Sequence, residues 1–290
     1  MMKASTLDIV TAAQEQGYAV GAFNVFDDLS LRAVARAAQE QRSPVIIQIS
    51  VRTAKAIGAE LVADMFSAAA TSVDVPLSLH LDHCPDPTYA MEVIDAGWSS
   101  VLFDASSYDL PQARELTAAV AAHAHQRGAH VESEIENIVG VEDGVGSDVI
   151  VHAYSDEELV TVAQETGVDM IAPQLGTAHG LYKGRPALLP ERVRRLRTMT
   201  SLPIVLHGGT GLSPEDFASF IAAGVSKINV STALKHSFLD ALVDVSAEAR
   251  AYGRVEPLPI LAQIEQRVAG TVAEHLALFG SCGAIPGGAQ

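Results

Sequence analysis

Cysteine is scarce in this 290-residue chain. There are two, Cys84 and Cys282, too few for a disulfide framework and in keeping with a reducing compartment. Positive charge is scarce too: 19 Lys and Arg stand against 35 Asp and Glu, a formal net charge of −16. Such a balance disfavours non-specific binding to nucleic acid or to an acidic membrane. An anionic substrate would therefore need a local site made of backbone N–H groups and one or two basic side chains. No apolar run approaches the roughly 18 residues that suggest a membrane span. The amphipathic start, MMKASTLDIVTAAQEQG, lacks the apolar core of a secretory signal. Internal repeats and low-complexity blocks are missing as well. The expectation is a soluble, cytoplasmic protein without nucleic-acid or membrane partners. Its composition, 48% hydrophobic and 19% charged, is that of a globular chain.

What the sequence does have is an alternation. Eight short apolar or β-branched runs, at 19–25, 44–50, 76–82, 100–106, 129–135, 169–176, 202–209 and 226–232, are separated mostly by helix-like stretches. Leu110, Ala113, Leu116 and Val120 show the helical spacing,. Gly97, Gly128, Gly167 and Gly224 stand where helices should stop before the next strand, and SDEE and SPED are N-cap starts with acidic first turns,. Strand and helix repeated eight times without a composition break predict a closed parallel (β/α)8 barrel, a single domain over 1–290. Helices over about 233–279 and a flexible tail at 280–290 complete it. An open doubly wound sheet would carry a glycine fingerprint after its first strand, but that strand ends in AFNVFDD.

In such a barrel the reacting groups come from the C-terminal ends of the strands. Three of the ten histidines fall there: His83 after the third strand, His179 after the sixth and His207 at the end of the seventh. Three imidazoles converging on one rim make a catalytic metal site with an open position. Asp82, beside the first of them, is placed to exchange a proton with a substrate hydroxyl or carbon. His80 alternates with Asp82 and is expected to point into the barrel as a hydrogen-bonded core residue. His130 begins the fifth strand, at the opposite end, and His123, His125, His152, His236 and His275 fall in helices or loops. The aperiodic segment 136–154 is a long loop carrying Glu142 and Asp143, suited to bring an acid or base to the site on a lid. HGGTG (207–211) and NVST (229–232) follow the last two strands, where barrels often bind phosphate on backbone N–H groups, and HGLYKG adds Gly180 and Lys183,.

GAFNV, LDHC, GTAHGLYKG, LHGGTGL and KINVSTALK, in that order, resemble the class II, metal-dependent, fructose-bisphosphate and tagatose-bisphosphate aldolases over residues 4 to 245. The resemblance implies a zinc-dependent (β/α)8 barrel, dimeric or tetrameric. Its members cleave a ketose 1,6-bisphosphate, of the fructose or tagatose type, to dihydroxyacetone phosphate and an aldehyde. It implies His83, His179 and His207 as zinc ligands, with Glu134 near the metal. Asp82 is implied as the acid that handles the aldehyde-end hydroxyl proton, and Glu142 as the loop acid that handles the C3 proton. Gly180, Lys183, Gly208, Gly209, Thr210, Asn229, Ser231 and Thr232 are implied to line the phosphate and enediolate pocket, with Ser50 and Asn24 beside them. Another divalent ion such as cobalt would suit the same nitrogens, and a monovalent cation can accompany it. This chemistry needs no lysine Schiff base, because zinc spreads the charge that appears when the C3–C4 bond breaks.

The chain departs from the family pattern at several points. Its loop reads EIENIVGVED, with Glu136 and Val139 where glycines are usual; Arg52 and Thr53 replace a small or glycine pair; Ser231 stands where fructose-bisphosphate enzymes carry aspartate. These positions flank the aldehyde half, so another phosphorylated ketose or keto acid is an alternative substrate, with Arg52 as a candidate contact for a carboxylate or second phosphate. A non-catalytic sugar-phosphate-binding relative is a further alternative, though the predicted ligands and both acids are all present. A metal-dependent barrel hydrolase is disfavoured, because it would carry an early His-x-His pair after the first strand.

Overall fold

The structure, a computed structural model, describes residues 4–142, 145–147, 149–180 and 184–285, and for 141–147 the backbone alone. Helix α1 (Thr6–Gln16) precedes β1 (Val20–Asn24), α2 (Asp28–Gln41), β2 (Val45–Ser50), α3 (Val51–Ile57) and α4 (Ala59–Thr71). Then come β3 (Leu77–Cys84), α5 (Pro87–Asp95), β4 (Ser100–Asp104), α6 (Leu110–His125) and β5 (His130–Glu134). A hairpin of β6 (Gly140–Glu142) and β7 (Val145–Ser147) interrupts the alternation inside the segment expected as a loop. It is followed by α7 (Asp156–Thr166), β8 (Met170–Ile171), α8 (Pro190–Met199), β9 (Ile204–Leu206), α9 (Pro214–Ala223) and β10 (Val225–Val230). The long α10 (Thr232–Ala251) and α11 (Pro257–Leu278) come last.

Eight of the strands close into one parallel barrel in the order β1-β10-β9-β8-β5-β4-β3-β2, the predicted (β/α)8 architecture. The predicted punctuation is present. Gly97, Gly128, Gly167 and Gly224 all have positive φ, the left-handed conformation that glycine adopts without steric cost. Ser155 caps α7 by accepting from the Glu158 N–H, and Ser213 forms a capping box with Asp216 at the start of α9,.

The two faces of each strand have separate jobs. In β2 and β3, Ile47, Ile49, Leu77, Leu79 and Leu81 pack outward against the helices in the main apolar core. The alternate residues face the barrel axis, as the period-2 pleat requires. At the N-terminal end these inward residues are apolar: Val20, Ala22, Ile46, Met170 and Val205 pack on Ile9, Val10 and Ala13 of α1, which plugs the bottom. Toward the other end they turn polar, with Gln48, His80, Asp82, Glu132, Lys227 and Asn229 all buried. The barrel interior is therefore apolar at its lower end and polar in its upper half.

Residues 280–285 differ from the flexible tail expected there. Ser281 is fully buried and hydrogen-bonds Ser43, while Gly283 and Ile285 donate to the carbonyls of Gln41 and Arg42. Backbone hydrogen bonds to the end of α2 hold this segment down. Among the described residues no helix is long and apolar enough to cross a membrane.

Candidate active site

His83, His179 and His207 meet at the C-terminal rim. Each offers one ring nitrogen, and the three nitrogens lie within 4.8 Å of one another. His207 follows β9 directly, and His179 lies on the segment after β8. His83 needs a local distortion. Asp82 and His83 are neighbours in one strand, so a regular pleat would send one inward and the other toward the helices. Pairing with β4 slips between Leu81 and Cys84, and His83 takes φ +43°. This irregularity turns His83 back over the barrel mouth beside Asp82. Non-glycine residues held at positive φ cluster at functional sites.

Carboxylates back the imidazoles. His83 Nδ1 donates to Asp104 Oδ2 at 3.1 Å, and His207 Nε2 donates to Glu132 Oε1 at 2.8 Å. A ring nitrogen facing an ionised carboxylate carries a proton, so the other nitrogen of each ring is the one turned to the shared centre, where a cation would take the place of any proton it carries. The electrostatics treat the two rings differently. Burial resists a charge on His83, but Asp82, Glu134 and Asp104 outweigh it and hold its pKa well above the usual value. Burial, only partly countered by Glu132, brings His207 down to about 4. Glu134 is pushed well up by burial and by Asp104, and its buried Oε2 has no hydrogen-bond partner among the described residues. His83, Asp104 and Glu134 form a second group able to hold a cation. Crowded acids, an orphaned carboxylate oxygen and converging imidazole nitrogens fit a divalent metal ion with His/carboxylate preference.

Asp82 is buried and held from two sides. Asn24 Nδ2 donates to Oδ2 at 2.7 Å, and Asn229 Nδ2 reaches Oδ1 at 3.4 Å. Each amide is itself oriented by a buried donor at its oxygen: Gln48 Nε2 bonds Asn24 Oδ1 at 2.7 Å, and Lys227 Nζ bonds Asn229 Oδ1 at 2.8 Å. Asp82 is thus an acceptor locked in place, with Oδ1 3.9 Å from His83 Nε2.

The glycine turns lie beside this centre. Gly208 has φ +66°, and a Cβ there would sit 2.4 Å from the Ala178 oxygen. Only glycine lets the turn after β9 touch the segment carrying His179. Gly180 also has positive φ, with open space where a Cβ would stand. Ser231 precedes α10 without capping it, and its buried hydroxyl has no partner among the described residues. An unsatisfied hydroxyl at the start of a 20-residue helix points to a ligand with acceptor oxygens. Gly209, Thr210 and Thr232 line the same two turns. Ser50 is brought to the rim but is used locally, capping α3 through Thr53 N–H at 3.3 Å. Lys183 and the side chain of Glu142 lie outside the described residues.

The segment 136–154 is tied at its root. Glu136 accepts two hydrogen bonds from Arg192 at 2.8 and 3.1 Å, and others from the Tyr154 and Gln174 N–H groups. Asn137 closes the neck, donating to Val149 O and accepting from the Val151 and His152 N–H groups. The His179 N–H donates to Val139 O at 2.8 Å, so the hairpin arm leading to Glu142 rests on the backbone of a metal-ligand candidate. Glu136, a departure from the family pattern, is therefore an anchor.

Sequence reasoning missed Glu132, Asp104, Lys227, Gln48 and Arg192. The signal available was a charge or amide at an inward position of an apolar strand, as in HVESE and VSKINV. His80 is a buried core residue bonded to Ser100, as expected, and His123 and His125 pair with Asp95 and Asp169 at the surface.

The sequence profile of the family described as fructose-bisphosphate aldolase class-II matches residues 4–284. The chain is 34% identical over 287 residues to the fructose-bisphosphate aldolase of Geobacillus stearothermophilus, covering 98% of this chain and 99% of that one. It is 33% identical over 281 residues to the fructose-bisphosphate aldolase of Staphylococcus aureus strain Mu50, covering 96% and 97%. The crystal structure of the YdjI aldolase from Escherichia coli K12 superposes with a TM-score of 0.84 at 27% identity, covering 98% of this chain and all of that one.

Proposed function

From the premise that the chain belongs to the class-II fructose-bisphosphate aldolase family, and so is an aldehyde-lyase acting on a ketose bisphosphate, we propose how its residues divide the work. His83, His179 and His207 hold a zinc ion, with Glu134 and Asp104 next to it. The single observation that carries this is the convergence of the three ring nitrogens, two of them backed by carboxylates. When bound, the ion supplies positive charge beside the substrate carbonyl, where negative charge builds as the C3–C4 bond breaks.

The chain's own groups do the rest. Asp82 accepts the proton of the C4 hydroxyl as the C3–C4 bond breaks and the aldehyde forms. The bonding pair stays with C3, and Glu142 supplies the proton that C3 then takes. Gly180, Lys183, Gly208, Gly209, Thr210, Ser231 and Thr232 bind the phosphate of the dihydroxyacetone phosphate half through N–H, hydroxyl and ammonium groups. Asn229 and Asn24 orient Asp82 and the oxygens next to the reacting carbons.

Ser50 and Asn24 lie on the aldehyde side. Beyond them, a cavity of about 470 Å³ is lined by Phe26, Arg52, Thr53, Ile57, Lys235 and Phe238. Its two cations suit the anionic end of the aldehyde half, a second phosphate or a carboxylate. The chain works as a homodimer or homotetramer. Leu239, Val243, Val255 and Leu258 on and between α10 and α11 are 54–82% exposed, an apolar surface suited to a second copy.

The test is retro-aldol cleavage of fructose and tagatose 1,6-bisphosphates and of carboxylate-ended ketose phosphates, with dihydroxyacetone phosphate detected enzymatically. Activity is expected to vanish with a chelator and return with zinc. Full metal content in His83→Ala, His179→Ala and His207→Ala would refute the ligand assignment.

A further inference from the structure

Lys227 lies in the middle of β10 with no exposed surface. An ammonium buried there is costly unless it is paired and its protons are used. Lys227 Nζ donates to Glu132 Oε2 at 2.7 Å and to Asn229 Oδ1 at 2.8 Å. These two acceptors lead to different parts of the site. Glu132 places its other oxygen 2.8 Å from His207 Nε2, on the side of the ring away from the metal-facing nitrogen. Asn229, its oxygen held by the ammonium, turns its Nδ2 toward Asp82 Oδ1, 3.4 Å away. A flipped Asn229 would set its NH2 against the ammonium and its oxygen against the Asp82 carboxylate, two repulsions in place of two attractions.

We propose that Lys227 is a positioning residue that holds the metal ligand His207 and the proton-carrying Asp82 in register with one another. One arm runs through Glu132 and fixes which nitrogen of His207 faces the metal. The other runs through Asn229 and fixes the oxygen of Asp82 that meets the substrate. The aldolase reading supplies the role of Asp82; the metal arm stands without it. The competing account is that Lys227 only balances the charge of Glu132. The two accounts separate when both charges are removed together. In Lys227→Met/Glu132→Gln, the new amide oxygen still accepts from His207 Nε2, and Met keeps the unbranched stem of Lys without its ammonium. Asn229 alone loses its tether.

The experiment compares wild type, Lys227→Met and the double variant by thermal melting, zinc affinity from competition with a chromophoric chelator, and steady-state cleavage of the best bisphosphate substrate. The single variant is expected to lose about tenfold or more in zinc affinity, because Glu132 is left unbalanced beside His207. The double variant is expected to regain wild-type melting and zinc affinity while kcat stays about tenfold or more below wild type with KM little changed, the mark of a misplaced proton carrier. A double variant with wild-type kcat would reduce Lys227 to charge balance and overturn the proposal. A double variant as poor in zinc as the single one would overturn it too, by tracing its whole effect to the metal. A wild-type protein that binds zinc but cleaves no ketose bisphosphate would refute the aldolase reading and leave the zinc comparison intact.

Discussion

His83 Nε2 and His207 Nδ1 face each other at 3.0 Å, a distance one shared proton can bridge. The other nitrogen of each ring is held by a carboxylate, Asp104 for His83 and Glu132 for His207. Asp82, Glu134 and Asp104 favour positive charge on His83, which a proton on Nε2 or a bound cation supplies. Removing a backing carboxylate frees the ring to turn. Asp104→Ala is therefore expected to lower zinc affinity by about 10–100-fold, measured by chelator competition, with the melting temperature of the metal-free protein little changed.

Asp82→Asn keeps the shape of the side chain but not its basicity. Cleavage is expected to fall by about 10²–10⁴-fold with zinc content unchanged. Exchange of the C3 proton of dihydroxyacetone phosphate, which does not involve the C4 hydroxyl, should persist. Loss of both reactions together would remove Asp82 from the aldehyde end.

Gly208→Ala tests how tightly the turn after β9 is packed. The added methyl would stand 2.4 Å from Ala178 O, which immediately precedes His179. The backbone must shift, and the strain of a non-glycine residue at φ +66° adds about 1–3 kcal/mol. Both a lower melting temperature and weaker zinc binding are expected. An unaffected zinc affinity would show that the 178–179 segment gives way without moving its imidazole.

Arg192 and Glu136 form a buried pair, with 10% and 1% of their side chains exposed. Arg192→Met leaves the Glu136 carboxylate without its cation while the backbone N–H groups still point at it. The expected cost is about 3–5 kcal/mol of stability, read from urea unfolding. Arg192→Met/Glu136→Gln should recover part of that loss. Both variants should bind zinc normally, because the pair supports the root of the hairpin and not the imidazoles.

Asp156 gives a pH signature away from the metal centre. Burial pushes its pKa up, but hydrogen bonds from Arg192 and Arg195, each 2.8 Å, outweigh burial and hold it below the usual value. The unfolded chain then takes up a proton more readily than the native one. The stabilisation is fully present above an ordinary carboxylate pKa of about 3.9 and is lost as pH falls below it. Urea midpoints measured from pH 6 to pH 3 should fall less steeply in Asp156→Asn than in wild type.

The hairpin and the tail show where one-dimensional patterns fail. Residues 140–147 are too short and glycine-rich for a periodic signal, and the pairing of β6 with β7 stands on a root held by Glu136, Asn137 and Arg192. Residues 281–285 look like a small-residue tail, and their partners, Ser43 and the carbonyls of Gln41 and Arg42, lie about 240 residues away in the chain.

The order of elements, the glycine stops, the serine caps and the rim on which His83, His179 and His207 fall follow from the sequence alone. Helical and strand periods and chain direction are local properties, and in a parallel barrel every strand ends on the same side. Which charges meet is a different matter. Glu132 and Lys227 are 95 residues apart and become a pair only when the sheet closes on itself. Adjacent Asp82 and His83 share the site only because β3 slips its register there. Closure and register depend on contacts between distant segments, so the tertiary structure decided which carboxylate backs each imidazole, the hold on Asp82 and the network behind both.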